Sequence, residues 1–286
     1  MKIGLLIQYS QADIALCKRV GFKSCELLVG PGSPLDPAKC QERDILAAKE
    51  EMEKQGIEVS AVGSYPNNLD PDPVKRAANI AHIERLMRVA ELFGVNTICT
   101  FAGRIPDKDL PDNIPAFKEV FGPLAKKLEG RGLRLAFENC PMFHCFPFRG
   151  VNIAYTPRAW DLMFDAVPSP ALGLEYDPSH LICLLMDYIE IVYRYGKKIF
   201  HVHAKDAEVI ERNVKLNGIL EPGAVRHRTP GMGQVDWPRL ISALRENGYT
   251  GNLDIEGRHD PIFHGKGEEE GLRISYKYLS NFVPQE

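Results

Sequence analysis

Lys198-Ile199-Phe200-His201-Val202-His203-Ala204-Lys205-Asp206 is an apolar run that ends abruptly in imidazole, ammonium and carboxylate groups, the pattern of a strand leaving a core for a reaction site. Three other short apolar runs end the same way. Leu133-Arg134-Leu135-Ala136-Phe137 passes into Glu138-Asn139, Leu172-Gly173-Leu174-Glu175-Tyr176 into Asp177-Pro178-Ser179-His180, and Asn252-Leu253-Asp254-Ile255 into Glu256-Gly257-Arg258. Four strands thus deliver Glu138, Asp177, His203 and Glu256, while His201, two residues upstream on the face of His203, reads as a packed core histidine.

Working outward, extended runs alternate with amphipathic ones along the whole chain. Strands are expected at 3–7, 24–29, 58–63, 97–101, 133–138, 172–177, 199–204 and 252–256, and helices at 11–20, 38–55, 73–93, 114–129, 157–166, 187–195, 237–247 and 268–282. In the third helix Ile80, Ile83, Leu86, Met87, Ala90 and Phe93 recur at three- and four-residue intervals, so one face is apolar and Glu84, Arg85, Arg88 and Glu91 face water. Asp72-Pro73 and Thr156-Pro157 set a capping oxygen before a first-turn proline, and Gly56, Gly94, Gly130 and Gly248 are expected to carry the chain out of helices. The strands are apolar through most of their length, as strands covered on both faces must be.

Strict β/α alternation leaves an open doubly wound sheet or a closed barrel. The first strand is followed by Gln8-Tyr9-Ser10, and the chain contains neither a G-x-G-x-x-G nor a G-x-x-x-x-G-K-S/T motif, so nothing supports a dinucleotide or P-loop fold. Eight units with polar residues gathered at strand C-termini favour the α/β class and a single-domain (β/α)8 TIM barrel over 1–286, with its site at that face. One connection departs from the pattern: 206–236 runs without a long helix through Asn217-Gly218, Pro222-Gly223 and Arg226-His227-Arg228-Thr229-Pro230-Gly231. It leaves from the strand of His203, and a loop of that length is usually functional, so it is expected to lie over the active-site face and cover the substrate.

Composition narrows the function. Lys and Arg number 35 against 38 Asp and Glu, a net charge of −3 without a basic face to follow a phosphate backbone, so nucleic acid is not the expected partner. The chain opens on Met1-Lys2 and a short apolar run, with no signal-type segment and no 18-residue apolar span, so the expectation is a cytoplasmic protein without membrane contact. Seven scattered cysteines without a C-x-x-C pair suggest buried thiols, not a disulfide framework; Cys140, just after Glu138-Asn139, is the one placed to touch a substrate.

Three carboxylates and an imidazole form an oxygen-rich, moderately hard donor set, suited to one octahedral divalent cation, Mn²⁺ first, with Mg²⁺, Co²⁺ or Fe²⁺ as alternatives. Two coordination positions would stay open for adjacent oxygens of a hydroxy-ketone, the cation acting as a Lewis acid on the carbonyl and stabilising the enediolate left by proton loss. Each ending has a plainer reading as a helix N-cap or ion pair; four in four successive strands favour the metal.

Phe137-Glu138-Asn139, Tyr176-Asp177-Pro178-Ser179-His180, His201-Val202-His203-Ala204-Lys205-Asp206, Arg228-Thr229-Pro230-Gly231-Met232-Gly233-Gln234-Val235-Asp236-Trp237 and Asp254-Ile255-Glu256 together resemble the xylose isomerase-like superfamily of sugar isomerases and epimerases. The resemblance implies a TIM barrel with Glu138, Asp177, His203 and Glu256 on a divalent cation and Glu138 and Glu256, on opposite sides of the substrate, as acid and base, a role that raised carboxyl pKa values would assist. It implies that His180 binds a substrate hydroxyl, the alternative being a helix-start cap, and that the protein forms dimers or tetramers. Lys205 and Asp206 could hold polyol oxygens or orient the long loop, with surface pairing as the alternative, and Arg228 is the candidate substrate clamp. Cys140 stands where aldose isomerases working by hydride shift carry a lysine, and His144 and Val209 stand where free-ketose 3-epimerases carry a glutamate and an arginine. The strands at 58–63 and 97–101 lack the extra histidines of apurinic endonucleases. The expected function is therefore a sugar isomerase or epimerase that removes a proton α to a keto group, with recognition, including His144, of its own kind. The alternative is a lyase expelling the glycosidic substituent of a 3-keto-glycoside.

Overall fold

The computed structural model describes residues 1–142 and 150–284; His144 and Cys145 lie outside them. Eight strands close into a parallel barrel: β1 (Ile3–Gln8), β2 (Ser24–Leu28), β3 (Glu58–Gly63), β4 (Thr97–Thr100), β5 (Arg134–Glu138), β6 (Leu172–Tyr176), β7 (Ile199–Ala204) and, after an excursion, β10 (Leu253–Ile255), which pairs with both β7 and β1. Helices α1 (Gln11–Val20), α2 (Glu42–Lys54), α3 (Pro73–Phe93), α4 (Leu110–Arg131), α5 (Pro157–Ala166), α6 (Pro178–Cys183), α7 (Tyr188–Tyr195), α9 (Trp237–Glu246) and α10 (Glu268–Ser280) connect them. This is a single-domain (β/α)8 barrel. Among the described residues no helix is long and apolar enough to cross a membrane.

The main core lies between barrel and helices. On α3 the side chains of Ile83, Leu86, Met87, Ala90 and Phe93 are buried, the stripe its periodicity requires, and Trp160 and Trp237 are fully enclosed. Asp72 caps α3 by accepting from Val74 N, and Thr156 caps α5 by accepting from Ala159 N. Gly56, Gly94 and Gly248 have positive φ as expected, but α4 runs past Gly130 and ends at Gly132, φ 66°. It also begins at Leu110, four residues before the expected start, and carries Pro115 and Pro123 within it. Both lie past the first turn, so each removes an i→i−4 hydrogen bond from the helix interior.

The segment 206–236 has structure of its own. β8 (Asp206–Val209) and β9 (Val225–Arg228) form an antiparallel hairpin outside the barrel, with α8 (Glu211–Asn217) between them. Asp206 fastens its base: the buried carboxylate accepts from the backbone N–H of Ala207, Gly231 and Val235 and from Trp237 Nε1. Arg228 fastens its far strand, pairing through Nε with Asp260 at 2.9 Å and through Nη1 with Glu208 at 2.5 Å.

Burial pushes the Asp260 carboxyl up, but N–H groups of Phe263 and Thr229 and the Arg228 guanidinium hold it well below the ordinary range. A depressed folded value means its stabilisation is fully present above the unfolded value, about pH 4, and disappears as pH falls through the folded one. Asp260→Asn is expected to lose about 1–2 kcal/mol of stability at pH 7 and to speed proteolysis within 206–236. The gap from wild type should close as pH falls below about 4, which denaturant titrations at several pH values would read.

Candidate metal centre and active site

Adjacent strands β5, β6, β7 and β10 bring Glu138, Asp177, His203 and Glu256 to one point at the C-terminal mouth, with one ligand atom from each lying within 4.8 Å of the others. Each side chain is held by a separate device. Asn139 clamps the ends of β5 and β6 reciprocally, its Nδ2 donating to Asp177 O at 2.9 Å and its Oδ1 accepting from Asp177 N at 2.7 Å. Asp177 Oδ1 accepts from Ser179 N at 2.8 Å and so caps α6, while Oδ2 turns toward the cluster. The cap and ligand readings of this aspartate are thus compatible, one oxygen for each. His203 Nδ1 lies 3.5 Å from Glu138 Oε1 and 3.6 Å from Glu256 Oε2.

The unmet valences test whether this set suits a cation. Asp177 Oδ2, His203 Nδ1 and His180 Nε2 are buried without a hydrogen-bond partner among the described residues. Buried polar atoms are rarely left so; Asp177 Oδ2 and His203 Nδ1 belong to the four-residue donor set, and His180 Nε2 borders it 3.3 Å from Asp177 Oδ2. Oxygen and imidazole donors at that spacing fit a divalent cation.

The electrostatics differ from expectation in one respect. Burial alone would raise both glutamates, as an acid role requires, yet His180 and His203 hold Glu138 below the ordinary carboxylate range. Against its own burial, Lys205 with His259 holds Glu256 well below it. Lys205 Nζ sits 2.8 Å from Glu256 Oε2, and His259 Nε2 lies 2.9 Å from Glu256 Oε1. Both carboxyls are therefore ionised, because the basic side chains around them outweigh burial.

Of the expected contact residues, His180 is at the centre, its Nε2 3.3 Å from Asp177 Oδ2 and 3.5 Å from Glu138 Oε1, and Lys205 is beside it. Arg228 points away into its Asp260 and Glu208 pairs. The neighbouring His227 instead reaches the site, stacking edge-on against His180 at 4.9 Å and facing His259 at 6.1 Å, with its Nδ1 unpartnered. Burial and nearby Lys205 lower its pKa to about 2, so it is neutral. No sequence pattern separated His227 from Arg228; only strand alternation in β9 would have, had the hairpin been recognised.

Two spaces flank the donors. A cleft of about 270 Å³ is lined by Tyr65, Phe101, Glu138, His203, Glu256 and His259, and a more apolar cavity of about 530 Å³ by His180, His227, Cys140, Cys183, Leu185 and Ile219, among others. Another cavity, about 560 Å³, opens at the opposite mouth among the strand N-termini, where such barrels do no chemistry. The described non-glycine residues with positive φ, Met142, Leu185 and Arg258, all lie in loops at the C-terminal face, where strained backbone tends to collect around sites.

Beneath the donors the barrel interior is polar. His201, expected as a packed core histidine, is buried as such, with its Nε2 3.2 Å from Asp254 Oδ2 and 3.3 Å from Glu26 Oε2. Glu175 is also enclosed there, burial and the Glu26 charge pushing its carboxyl up to about 8.

The fold agrees with that of known relatives. Residues 14–282 match the model of the xylose isomerase-like TIM barrel family, and the chain belongs to it. Among curated proteins, it is 25% identical over 307 residues to the uncharacterised YfiH of Bacillus subtilis, covering 93% of each chain. It is 35% identical over 110 residues to an inosose dehydratase of Clostridium botulinum, an alignment spanning 37% of each. Among solved structures, the IolI protein with a bound zinc atom superposes with a TM-score of 0.73 over 99% of this chain and 98% of that one, at 20% identity, a likeness of fold.

Proposed function

We propose that the protein is a divalent-cation-dependent isomerase or epimerase of keto-sugars that moves a proton α to the ketone, with Glu138 and Glu256 as the proton-transferring pair. The observation that carries this reading is the convergence of two ionised glutamates with Asp177 and His203 at the open mouth of the barrel. When bound, the cation supplies Lewis acidity, polarising the ketone and offsetting the charge that develops on its oxygen. Glu138, Asp177, His203 and Glu256 would hold it, Mn²⁺ being the proposed ion in a cytoplasmic dimer or tetramer.

One glutamate abstracts the α-proton and later releases it to solvent; the other takes a proton from solvent at the open mouth and delivers it to the opposite face of the carbon. Lys205 keeps Glu256 ionised until it takes the proton. His180 and His227 present imidazole nitrogens to substrate hydroxyls, and the hairpin of β8 and β9, fixed by Asp206 and Arg228, closes over the substrate. His144 keeps its proposed place among the substrate contacts. His180→Ala is expected to lower kcat/KM about tenfold, through one lost hydrogen bond and a buried group left unpaired, with cation affinity unchanged by calorimetry.

The test is a panel of keto-sugars and keto-glycosides assayed in D₂O with Mn²⁺ restored after chelation. Deuterium in an epimeric product supports the proposal; no exchange of any α-hydrogen across the panel overturns it. The inosose dehydratase likeness and the apolar cavity beside His180 favour a second reading, a lyase using the same proton abstraction to expel a β-substituent. A released aglycone and an enone would identify it.

A further inference from the structure

TIM-barrel interiors are ordinarily filled by layers of branched apolar side chains. This one encloses Glu26 and Glu175, both fully buried, directly under His203. Glu26 Oε2 lies 2.7 Å from His203 Nε2, and Glu175 Oε1 lies 3.0 Å from the same nitrogen. Tyr65 donates its hydroxyl to Glu26 and lies 2.9 Å from Glu175 Oε2.

The backbone is shaped around this pair. The register of β2 against β3 shifts between Cys25 and Glu26, and that of β6 against β7 between Leu174 and Glu175, so both irregularities fall at the interior glutamates. Such bulges re-aim side chains. Gly63, on β3 beside Glu26, supplies the clearance: a Cβ there would overlap Glu26 Oε1. Replacing buried charged groups by apolar ones of similar volume is often neutral or stabilising, so stability alone does not explain their presence.

We propose that Glu26 is a positioning residue for the cation site: by accepting the Nε2 proton of His203 it fixes the imidazole in the tautomer whose free Nδ1 faces Glu138 and Glu256. The inference rests on the proposed ligand role of His203. A neutral imidazole has one protonated and one free nitrogen, and the bond made by one decides the role of the other. Glu26 thus orients the ring and adds negative charge behind it, which strengthens Nδ1 as a donor. Tyr65 and Gly63 hold Glu26 in turn. Glu26 itself lines neither of the two spaces beside the donors.

The experiment compares wild type, Glu26→Gln and His203→Ala by calorimetric Zn²⁺ titration of the chelated protein, with ¹⁵N-edited NMR of the Zn²⁺-saturated forms. Glu26→Gln is expected to weaken Zn²⁺ binding about 10- to 100-fold and to move the His203 Nε2–H resonance upfield as its acceptor loses charge. A role confined to packing would lower thermal stability and leave both readouts alone. Wild-type affinity in Glu26→Gln, with His203→Ala clearly weakened, overturns the inference. Unchanged affinity in His203→Ala removes instead the ligand assignment on which it stands, and the inference with it. Should Glu26→Gln fail to fold, Tyr65→Phe takes its place, an affinity loss of about threefold or more supporting the inference and wild-type affinity overturning it.

Discussion

Glu256→Gln and Glu138→Gln are each expected to lower kcat by about 10²- to 10⁴-fold, the usual contribution of a positioned acid or base, with KM changing far less. Glutamine keeps the shape and a coordinating oxygen but cannot take up a proton, so the loss isolates proton transfer from cation binding; metal content measured on both variants checks that separation. The two should differ in what survives. A variant that retains the abstracting carboxylate still exchanges the substrate's α-hydrogen with D₂O while making no epimer, whereas the variant lacking it does neither. The ammonium 2.8 Å away and His259 hold Glu256 well below the ordinary carboxylate range, which keeps it ionised but makes it the weaker base of the two. If both variants turn over at near wild-type rates with the cation bound, the glutamates hold metal only and the proton passes through another group.

The barrel and its four donor positions were legible because they are sharp contrasts along the chain. An apolar parallel strand that stops at a carboxylate or imidazole has nowhere to put that group except the mouth, and Glu138, Asp177, His203 and Glu256 all read this way. Glu26 and Glu175 did not, since each sits within a strand buried on both faces; such a strand has no polar alternation against which an inward charge stands out. Only the register shifts at these residues turn them beneath His203, and a bulge leaves no mark in one sequence. The hairpin was hidden for a different reason: Asp206–Val209 and Val225–Arg228 are short and charge-bearing, so the segment reads as loop, and the choice between His227 and Arg228 depended on a pairing that the sequence does not announce.

Removing the cation is expected to have an effect as large as removing either glutamate. Lewis-acid assistance is worth several kcal/mol of transition-state charge stabilisation, so chelation should lower turnover by about 10³-fold or more, at about 1.4 kcal/mol per tenfold. Activity should return on adding Mn²⁺. His203→Ala should lose activity to a similar extent and recover only at much higher Mn²⁺, because it removes the one imidazole from a set otherwise made of carboxylates. Lys205 decides how that comparison behaves. Its ammonium lies 2.8 Å from Glu256 Oε2 and 3.8 Å from Asp177 Oδ2, so it already screens two of the proposed oxygen donors and competes with the incoming cation. Lys205→Met should therefore bind Mn²⁺ more tightly than wild type in calorimetric titration and still turn over poorly, since the ammonium that positions Glu256 Oε2 has gone. Equal loss of binding and of turnover in Lys205→Met would instead make the lysine part of the scaffold of the site. Activity of the chelated wild type that matches the Mn²⁺-restored enzyme would remove the cation from the reaction altogether.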